Sequence, residues 1–550
     1  MYQYDKYDQA MIDQRVAQYR DQTRRYLAGE LTEDQFRPLR LMNGLYVQIH
    51  APMLRVAIPY GLMSTKQVRK IAEVSRKYDK GYVHFTTRQN FQLNWPALET
   101  VPDILAELAS VQMHAIQSSG NCIRNTTSDQ LAGICKDEVE DPRPYGEIIR
   151  QWSTFHPEFA YLPRKFKIAV IGNTEDRAAT KLHDIGLHLV KNKEGEVGFE
   201  VLVGGGLGRT PILGQQIRPF LEKKDLLSYL EAILRVYNRL GRRDNKYKAR
   251  IKITVREHGI NHIRELVEAE WVEIRDQLAL DDKEIERVKG FFTEPEYDTN
   301  AADDASFAKM QSEDANFARW VKQNVVDHKM PGYKAAYLSL KAPLSPPGDV
   351  TSDQLDVIAD LADEFNLGEV RSTHDQNLLF SDVKQGDLYA LWLRLEVESL
   401  ATPNIGTLTD MICCPGLDFC GLANATSIPL AKDINEKFSD LDYLYDLGDL
   451  KVKMSGCMNG CAHQSVGHIG ILGVDKKGEE WYQFTLGGSS EADASLGKRL
   501  GRAIPKDQVV DTVTTLLDTY VELRQEAEPF LSTVRRVGID PFKERVYADH

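Results

Sequence analysis

Five of the seven cysteines fall between positions 413 and 461, and their spacing is the pattern in this sequence that most directly suggests chemistry. Cys414 and Cys420 are separated by five residues, Cys457 and Cys461 by three, and thirty-six residues lie between the two pairs. Four thiolates are the usual protein ligands of a cubane iron–sulfur cluster. The glycines at 416, 421, 456 and 460 allow tight turns that direct backbone N–H groups at cluster sulfur. The pattern therefore favours a [4Fe–4S] centre.

A structural zinc site made by four cysteines is the alternative. Zinc motifs usually place the two cysteines of a pair two to four residues apart, so the gap between Cys414 and Cys420 fits zinc poorly. Spacing alone does not choose between Cys413 and Cys414 as the first ligand. His463 lies close by, but a lone histidine there is more typical of a structural role.

The segments CCPGLDFCGLANA and SGCMNGCAH resemble the cysteine motifs of the sirohaem-dependent sulfite and nitrite reductases. The resemblance extends from roughly residue 40 to residue 545 and is strongest to the haemoprotein (beta) component of assimilatory sulfite reductase. It implies two cofactors, sirohaem and a [4Fe–4S] cluster. It also implies that Cys461 bridges the cluster to the sirohaem iron and that Asn459 lies beside the cluster. The implied cluster ligands are Cys414, Cys420, Cys457 and Cys461.

Four basic residues match substrate-binding positions of that family: Arg55, Arg124, Lys165 and Lys167. Arginine suits an oxyanion through its planar fork, and lysine is a compact charge and a possible proton source. Lys165 and Lys167 alternate along an apparent strand, so both side chains are expected on one face. Each residue alone is more typical of a solvated surface charge, and the role in catalysis is what the resemblance implies.

The segment HFTTRQNFQ resembles the sirohaem-contacting strand of the family. The resemblance implies cofactor contacts from this segment, from a glutamine in the second half of the chain, and from the glycine loop LVGGGLG, whose backbone can approach a macrocycle or its carboxylates. These candidate contacts are His84, Thr86, Thr87, Arg88, Gln89, Gln92, Gly204, Gly205, Gly206 and Gln376.

A basic run, NRLGRRDNKYKARIKITVR, spans residues 238–256. The interpretation we favour is a solvated helix followed by a strand. Docking of an acidic electron donor and further contacts to cofactor carboxylates are the alternatives that the sequence leaves open.

These residues must be positioned by a duplicated fold. The segment that starts at Ser64 aligns without a gap with the segment that starts at Thr351, at a constant offset of 287. Each copy has a helical pattern of apolar residues, a short turn and a strand, preceded by another apolar run. With this duplication, the resemblance to the sulfite and nitrite reductases implies an α+β (mixed α/β) fold class, a pseudo-twofold sulfite/nitrite reductase fold with two ferredoxin-like half-domains and two larger α/β lobes.

The predicted organisation has five parts. Residues 1–40 form an N-terminal arm, and residues 41–110 form the first ferredoxin-like half-domain. Residues 111–325 form a sirohaem- and substrate-binding lobe that ends in an exposed linker over 294–314. Residues 326–400 form the second half-domain, and residues 401–550 form the lobe that binds the cluster and sirohaem.

Composition limits the classes of function. The chain has 68 basic and 81 acidic residues, a net charge of −13, which argues against a dedicated nucleic-acid binder. No run of about 18 apolar residues is present, so no membrane span is expected. The polar start MYQYDKYDQAMIDQR does not resemble a signal peptide. We therefore expect a cytoplasmic protein.

The resemblance to the sulfite and nitrite reductases implies an oxidoreductase that carries out the six-electron reduction of sulfite to sulfide. Lys167 favours sulfite, because nitrite reductases of the family tend toward asparagine at this position. Assimilatory nitrite reductase is the alternative within the family, and a non-catalytic zinc-stabilised binding module is the alternative of a different class. Flavin and nicotinamide modules are not recognisable in the chain, so the expected electron donor is a flavoprotein reductase subunit or ferredoxin.

Overall fold

Two helices precede the first half-domain in the computed structural model, which describes residues 1–298 and 305–548. Thr32 caps the second helix through a reciprocal bond with Gln35, a pattern readable in the sequence. The elements up to residue 110 are α1 (Lys6–Leu27), α2 (Glu33–Met42), β1 (Leu45–Val47), β2 (Pro52–Ala57), β3 (Leu62–Ser64), α3 (Thr65–Tyr78), β4 (Tyr82–Phe85), β5 (Asn90–Leu93) and α4 (Val101–Ala109).

The first lobe is a sheet covered by helices. Its elements are β6 (Thr127–Ser128), α5 (Arg143–Ser153), β7 (Ile168–Ile171), β8 (Ile185–Lys191), β9 (Val197–Val203), β10 (Gln215–Glu222), α6 (Leu226–Leu240), α7 (Ile251–His258), α8 (Ile260–Ile274) and α9 (Asp282–Lys289). Strands β6, β7 and β8 are parallel, and β9 and β10 add antiparallel strands at one side.

The second half-domain repeats the first. Its elements are α10 (Ala305–Glu313), α11 (Ala315–Asn324), β11 (Val325–Asp327), β12 (Tyr333–Leu338), β13 (Asp349–Thr351), α12 (Ser352–Phe365), β14 (Glu369–Ser372), β15 (Leu378–Lys384) and α13 (Leu388–Val397). Helices α3 and α12 both begin at a capping box, Ser64 with Gln67 and Thr351 with Gln354. The equivalent caps follow from equivalent residues at the offset of 287.

The second lobe repeats the sheet of the first, because β16, β17 and β18 are parallel and β19 is antiparallel. Its elements are β16 (Ile412–Cys413), α14 (Ile428–Lys437), α15 (Leu441–Leu447), β17 (Val452–Ser455), β18 (Ile469–Lys476), β19 (Glu479–Leu486), β20 (Lys498–Arg499), β21 (Ile504–Pro505), α16 (Val509–Leu523), α17 (Phe530–Val537) and α18 (Asp540–Val546). The predicted mixed α/β class with duplicated halves is confirmed.

The two half-domains exchange strands. Strand β13 of the second half pairs with β4 in the first sheet, and β3 of the first half pairs with β14 in the second sheet. Helices α3 and α12 lie together, and Ser75 Oγ is 2.7 Å from Ser352 Oγ across their contact. The halves therefore share one hydrophobic core, which fixes the TTRQN loop of one half against the STHDQN loop of the other.

Two segments differ from expectation. Residues 251–258 form helix α7, not the strand expected after residue 250, because their apolar residues pack on the lobe core beside α8. Part of the expected linker, residues 299–304, lies outside the described residues. After it, residues 305–313 form helix α10, whose Phe307 and Met310 pack against the core. Among the described helices, none combines the length and the apolar character needed to cross a membrane.

Candidate active site

The cysteine pairs follow two neighbouring strands. Strand β16 ends at Cys413 and pairs in parallel with β17, with Cys413 opposite Met454. The loops that leave the carboxyl ends of these strands therefore lie side by side, and Gly456 N donates to Cys414 Sγ at 3.1 Å. Burial raises the pKa of Cys457, although hydrogen bonds from the backbone and side chain of Asn459 oppose the shift.

The four cysteines lie within one another's electrostatic range. Burial, followed by the charge of Cys461, raises the pKa of Cys414 to about 12. Burial also raises the pKa of Cys420 and of Cys457, and Cys461 adds to both shifts. Sharing a metal cluster, which binds thiolates, would relieve this mutual repulsion.

The two neighbouring cysteines, Cys413 and Cys414, have different surroundings. The Cys413 side chain is buried in the sheet, and its thiol donates to the Cys414 carbonyl oxygen at 3.3 Å. No three His, Cys, Asp or Glu side chains of the described residues lie close enough together to hold a single metal ion. A zinc tetrahedron brings sulfurs within about 3.8 Å of one another. The described cysteine side chains do not form such a tetrahedron.

Lys165 and Lys167 flank Phe166, and the regular strand β7 begins only at Ile168. Phe166 between them is buried, and its backbone bonds to that of Cys122 and Arg124, which keeps the segment extended. Burial and the charge of Arg124 lower the pKa of Lys165 to about 8, although Cys461 opposes this shift. Lys165 therefore lies between an arginine and the cysteine loop.

Arg124 and Arg55 approach the same region from different elements. The Arg124 guanidinium donates to the carbonyl oxygens of Ser118 and Gly120 at 2.7–3.1 Å. Arg55 donates to Gln92 Oε1 through Nε at 3.1 Å and Nη2 at 2.6 Å, across the β2–β5 pair. Gln92 thus orients the Arg55 guanidinium.

Tyr46 is a member of this group that the sequence did not reveal. The Arg55 guanidinium lies 5.2 Å from the centre of the Tyr46 ring. Burial acts to raise the pKa of Tyr46, but Arg124 and Arg55 outweigh it and lower the value to about 8. Its position just after a two-helix arm carries no motif by which to find it.

The TTRQ loop meets the cluster loop directly. Thr87 Oγ1 donates to the Cys461 carbonyl oxygen at 2.8 Å, and Thr86 Oγ1 accepts from Arg88 N at 3.2 Å. Arg88 donates to Thr127 Oγ1 at 2.8 Å and to the Asn125 carbonyl oxygen at 2.7 Å. Burial and the charge of Arg124 lower the pKa of Arg88.

The glycine loop borders the same region. A Cβ on Gly205 would lie 2.3–2.4 Å from the carbonyl oxygens of Lys181 and His183, so no larger residue fits there. A Cβ on Gly206 would lie 2.7 Å from Arg250 Nη2, and Gly204 has a φ of +83°. The loop continues to Gly208, which lies near the backbone of Asn459.

Three residues that were expected to contact a cofactor have protein groups as their hydrogen-bond partners. Gln89 and Gln376 are fully buried, and their amides bond to backbone groups. His84 Nδ1 lies 2.7 Å from Asp349 Oδ1 in a pair that joins the two halves. Their polar atoms are occupied because the two half-domains interlock at these loops.

Asp184 and Arg250 are the main functional candidates that sequence reasoning missed. Arg250 donates to both carboxylate oxygens of Asp184 at 2.7 Å, and Asp184 Oδ2 accepts from Lys167 N at 2.9 Å. Lys252 is also buried and donates to the Leu207 carbonyl oxygen at 2.6 Å. Both basic residues belong to the run 238–256, so this end of the run is not a solvated surface.

The region has an excess of positive charge. Lys165 and Arg88 join burial in lowering the pKa of Lys167 well below its ordinary value, even though Asp184 opposes them. Like charges buried together are unfavourable unless an anion offsets them. A carboxylate-rich macrocycle and an oxyanion supply that negative charge, so this set of donors fits sirohaem and an anionic substrate.

Comparisons with known proteins agree with this geometry. The family model described as "Nitrite and sulphite reductase 4Fe-4S domain" matches residues 119–274 and 406–550. The model described as "Nitrite/Sulfite reductase ferredoxin-like half domain" matches residues 48–111 and 335–397. Each model matches twice, which supports the internal duplication.

Three relatives illustrate the similarity. "Sulfite reductase [ferredoxin] 1" of Mycolicibacterium paratuberculosis is 27% identical, over 88% of this chain and 82% of its own. "Ferredoxin--nitrite reductase, chloroplastic" of Arabidopsis thaliana is 28% identical, over 84% of this chain and 75% of the relative's own length. The structure of Mycobacterium tuberculosis NirA protein superposes with a TM-score of 0.77 and 25% identity, over 93% and 92% of the two chains.

The cofactors that these matches support are sirohaem and a [4Fe–4S] cluster. With both halves of the chain covered by the two models, the protein belongs to the nitrite and sulfite reductase family of oxidoreductases.

Proposed function

We propose that this protein is an assimilatory sulfite reductase that reduces sulfite to sulfide with six electrons. The observation that supports this most directly is that Lys165 lies within electrostatic range of both Arg124 and Cys461. That arrangement puts cationic groups for an oxyanion beside the proposed bridging thiolate. When bound, sirohaem and the cluster supply the redox reactivity.

The proposed roles of the protein residues are electrostatic. Arg55 and Arg124 bind and orient the oxyanion, because each guanidinium is itself held by hydrogen bonds. Lys167 offsets negative charge on the substrate oxygens. Lys165, with a pKa of about 8, holds a proton at neutral pH and can release it more readily than an ordinary lysine.

The proposed cluster ligands are Cys414, Cys420, Cys457 and Cys461. The proposed macrocycle contacts come from Arg88, Thr86 and the backbone of Gly204–Gly206. Arg250 is added to this set because its guanidinium lies against Gly206 and its pairing with Asp184 holds it there.

Sulfite is the proposed substrate, in preference to nitrite. Sulfite has three oxygens and up to two negative charges, whereas nitrite has two oxygens and one charge. A site with two lysines and two arginines suits the more highly charged ion. The relatives named above include reductases of both kinds at nearly equal identity, so the distinction rests on the site.

Replacement of Lys167 by asparagine tests this choice. We expect Lys167→Asn to lower kcat/KM for sulfite about 10- to 100-fold, the loss of roughly 1.4–2.7 kcal/mol of transition-state binding. The loss for nitrite should be smaller. Both substrates are assayed with the same chemical reductant, and Lys191→Asn, at the exposed end of β8, is the matched control. A wild-type kcat/KM far larger for nitrite than for sulfite would contradict the proposal.

Ferredoxin is the proposed electron donor. The relatives that are named for their donor use ferredoxin, and a flavoprotein subunit is the other possibility that the sequence raised. Steady-state reduction of sulfite by reduced ferredoxin, compared with a flavoprotein reductase and NADPH, distinguishes the two. Turnover with the flavoprotein alone would contradict the ferredoxin proposal.

A further inference from the structure

Two buried glutamines occupy equivalent places in the two halves, at the offset of 287. Both have a positive φ, +49° for Gln89 and +61° for Gln376. Gln89 donates to the Ser372 carbonyl oxygen at 3.2 Å, and Gln376 donates to the Phe85 carbonyl oxygen at 3.1 Å. Phe85 and Ser372 are themselves separated by 287 residues. Each half thus bonds to the other through the same side chain.

Each glutamine also holds the first strand of the lobe that follows it. Gln89 Oε1 accepts from Ser128 N at 3.0 Å, and Gln89 Nε2 donates to the Ser128 carbonyl oxygen at 2.9 Å. Gln376 Oε1 accepts from Cys413 N at 2.9 Å, and Gln376 Nε2 donates to the Cys413 carbonyl oxygen at 3.0 Å. We call these contacts the Gln89 clasp and the Gln376 clasp. The Gln376 clasp holds the residue just before Cys414.

Room for both clasps comes from equivalent glycines. A Cβ on Gly61 would lie 2.5 Å from Gln89 Nε2, and one on Gly348 would lie 3.0 Å from Gln376 Nε2. These glycines are again 287 residues apart. The clasps are therefore a duplicated part of the fold.

The Gln376 clasp has an addition that the Gln89 clasp lacks. His84 Nε2 lies 3.1 Å from Gln376 Nε2, while His84 Nδ1 faces Asp349 at 2.7 Å. Asp349 accepts the Nδ1 proton, so Nε2 is left to accept from the glutamine amide and fixes which way that amide points. The residue equivalent to His84 is Arg371, which donates to the carbonyl oxygens of Gln130 and Ala132 instead.

The clasp fixes the peptide plane that leads into Cys414. The Cys413 carbonyl and the Cys414 N–H belong to one planar unit. Gln376 Nε2 donates to the Cys413 carbonyl oxygen at 3.0 Å, and the Cys414 N–H donates to the Met454 carbonyl oxygen at 3.2 Å. The Cys414 carbonyl oxygen then accepts from Ser427 Oγ at 2.5 Å. With the backbone held on both sides, the direction of the Cys414 Cα–Cβ bond is fixed, so only rotation about that bond is left to place the thiol.

We infer that Gln376, oriented by His84 and Asp349, is a positioning residue that holds the Cys414 thiolate in place for the iron–sulfur cluster. It acts through the Cys413 backbone and not by touching the cofactor. The inference rests on the proposed ligand set.

The test compares substitutions of the two buried glutamines, each of which removes the equivalent pair of hydrogen bonds to the backbone of the following lobe. Gln376→Leu and Gln89→Leu are each purified as holoenzyme, and the loss of cluster absorption to a ferrous-iron chelator is timed. We expect Gln376→Leu to lose the cluster at least tenfold faster than the wild type, with a changed EPR spectrum of the reduced cluster. Gln89→Leu should keep the wild-type rate and spectrum, since its clasp holds a strand that has no cluster ligand.

Equal rates for the two variants, or a wild-type rate and spectrum in Gln376→Leu, would overturn the inference. His84→Ala gives a second reading if Gln376→Leu does not fold. It removes the orienting contact together with the bond to Asp349 but leaves the Gln376 amide in place. It should speed cluster loss less than tenfold but measurably, and a wild-type rate would count against the inference. Absence of a cluster or of sulfite reduction in the wild type would instead refute the proposed function.

Discussion

The ionisation of Lys165 gives a prediction that can be followed through the pH dependence of the reaction. Burial and the charge of Arg124 lower the pKa of Lys165 from 10.5 to about 8. Because the protonated form is the one that binds an anion and donates a proton, kcat/KM for sulfite should be full below this pKa and fall above it. Negative charge on a bound macrocycle raises the pKa, so the basic limb is expected between pH 8 and 10.5.

The energetic size of the effect on Lys165 follows from the shift of its pKa from 10.5 to about 8. A change of this size corresponds to about 3 kcal/mol between the charged and neutral forms of the ammonium group, at roughly 1.4 kcal/mol per unit. An arginine at the same position stays protonated throughout the accessible pH range. Lys165→Arg should therefore remove the part of the basic limb that Lys165 contributes, whatever its effect on the maximum rate.

The assay is the pH profile of kcat/KM for sulfite with a chemical reductant. Tyr46 also has a pKa of about 8, so Tyr46→Phe serves as the control for its titration. The limb should persist in Tyr46→Phe and move slightly to lower pH, because the tyrosinate no longer supports the charge of Lys165. A limb unchanged in Lys165→Arg, or absent in Tyr46→Phe, would refute the assignment.

Two further predictions concern the ion pair and the cluster ligands. Asp184→Asn leaves Arg250 buried without its counter-charge and should lower the free energy of unfolding by about 3 kcal/mol; urea denaturation measures this. The control is Asp225→Asn, because Arg275, the partner of Asp225, is 39% exposed. This substitution should lower the free energy of unfolding by about 1 kcal/mol or less, and equal decreases for the two variants would contradict the reasoning. Cys420→Ser should lower the iron content of the purified protein, whereas Cys413→Ser should leave it unchanged. Iron loss in Cys413→Ser would show that the first ligand is misassigned.

The duplication and the cofactor class were predictable from sequence because they depend on local patterns. The helix of each copy begins at a Ser/Thr–x–x–Gln capping box. The cysteine spacing favours an iron–sulfur cluster over zinc. The exchange of strands β3 and β13 between the two half-domains was not predictable. Each of these strands is only three residues long and pairs with a strand far away in the chain.

The site was predictable in part, and what the sequence did not reveal depends on packing. Lys165 and Lys167 were placed on one face by period-two alternation alone. Gln89 and Gln376 were expected to touch a cofactor, but a glutamine that bonds to ligand and one that bonds to backbone look alike in sequence. Arg250 was taken for a surface charge, since burial depends on the packing of α7 against the lobe.

The most direct test of the whole account is metal analysis of the purified full-length protein. A cubane cluster together with a sirohaem predicts about five iron atoms per chain and no stoichiometric zinc. One zinc per chain with no iron would contradict the central claim that these cysteines hold an iron–sulfur cluster coupled to a haem.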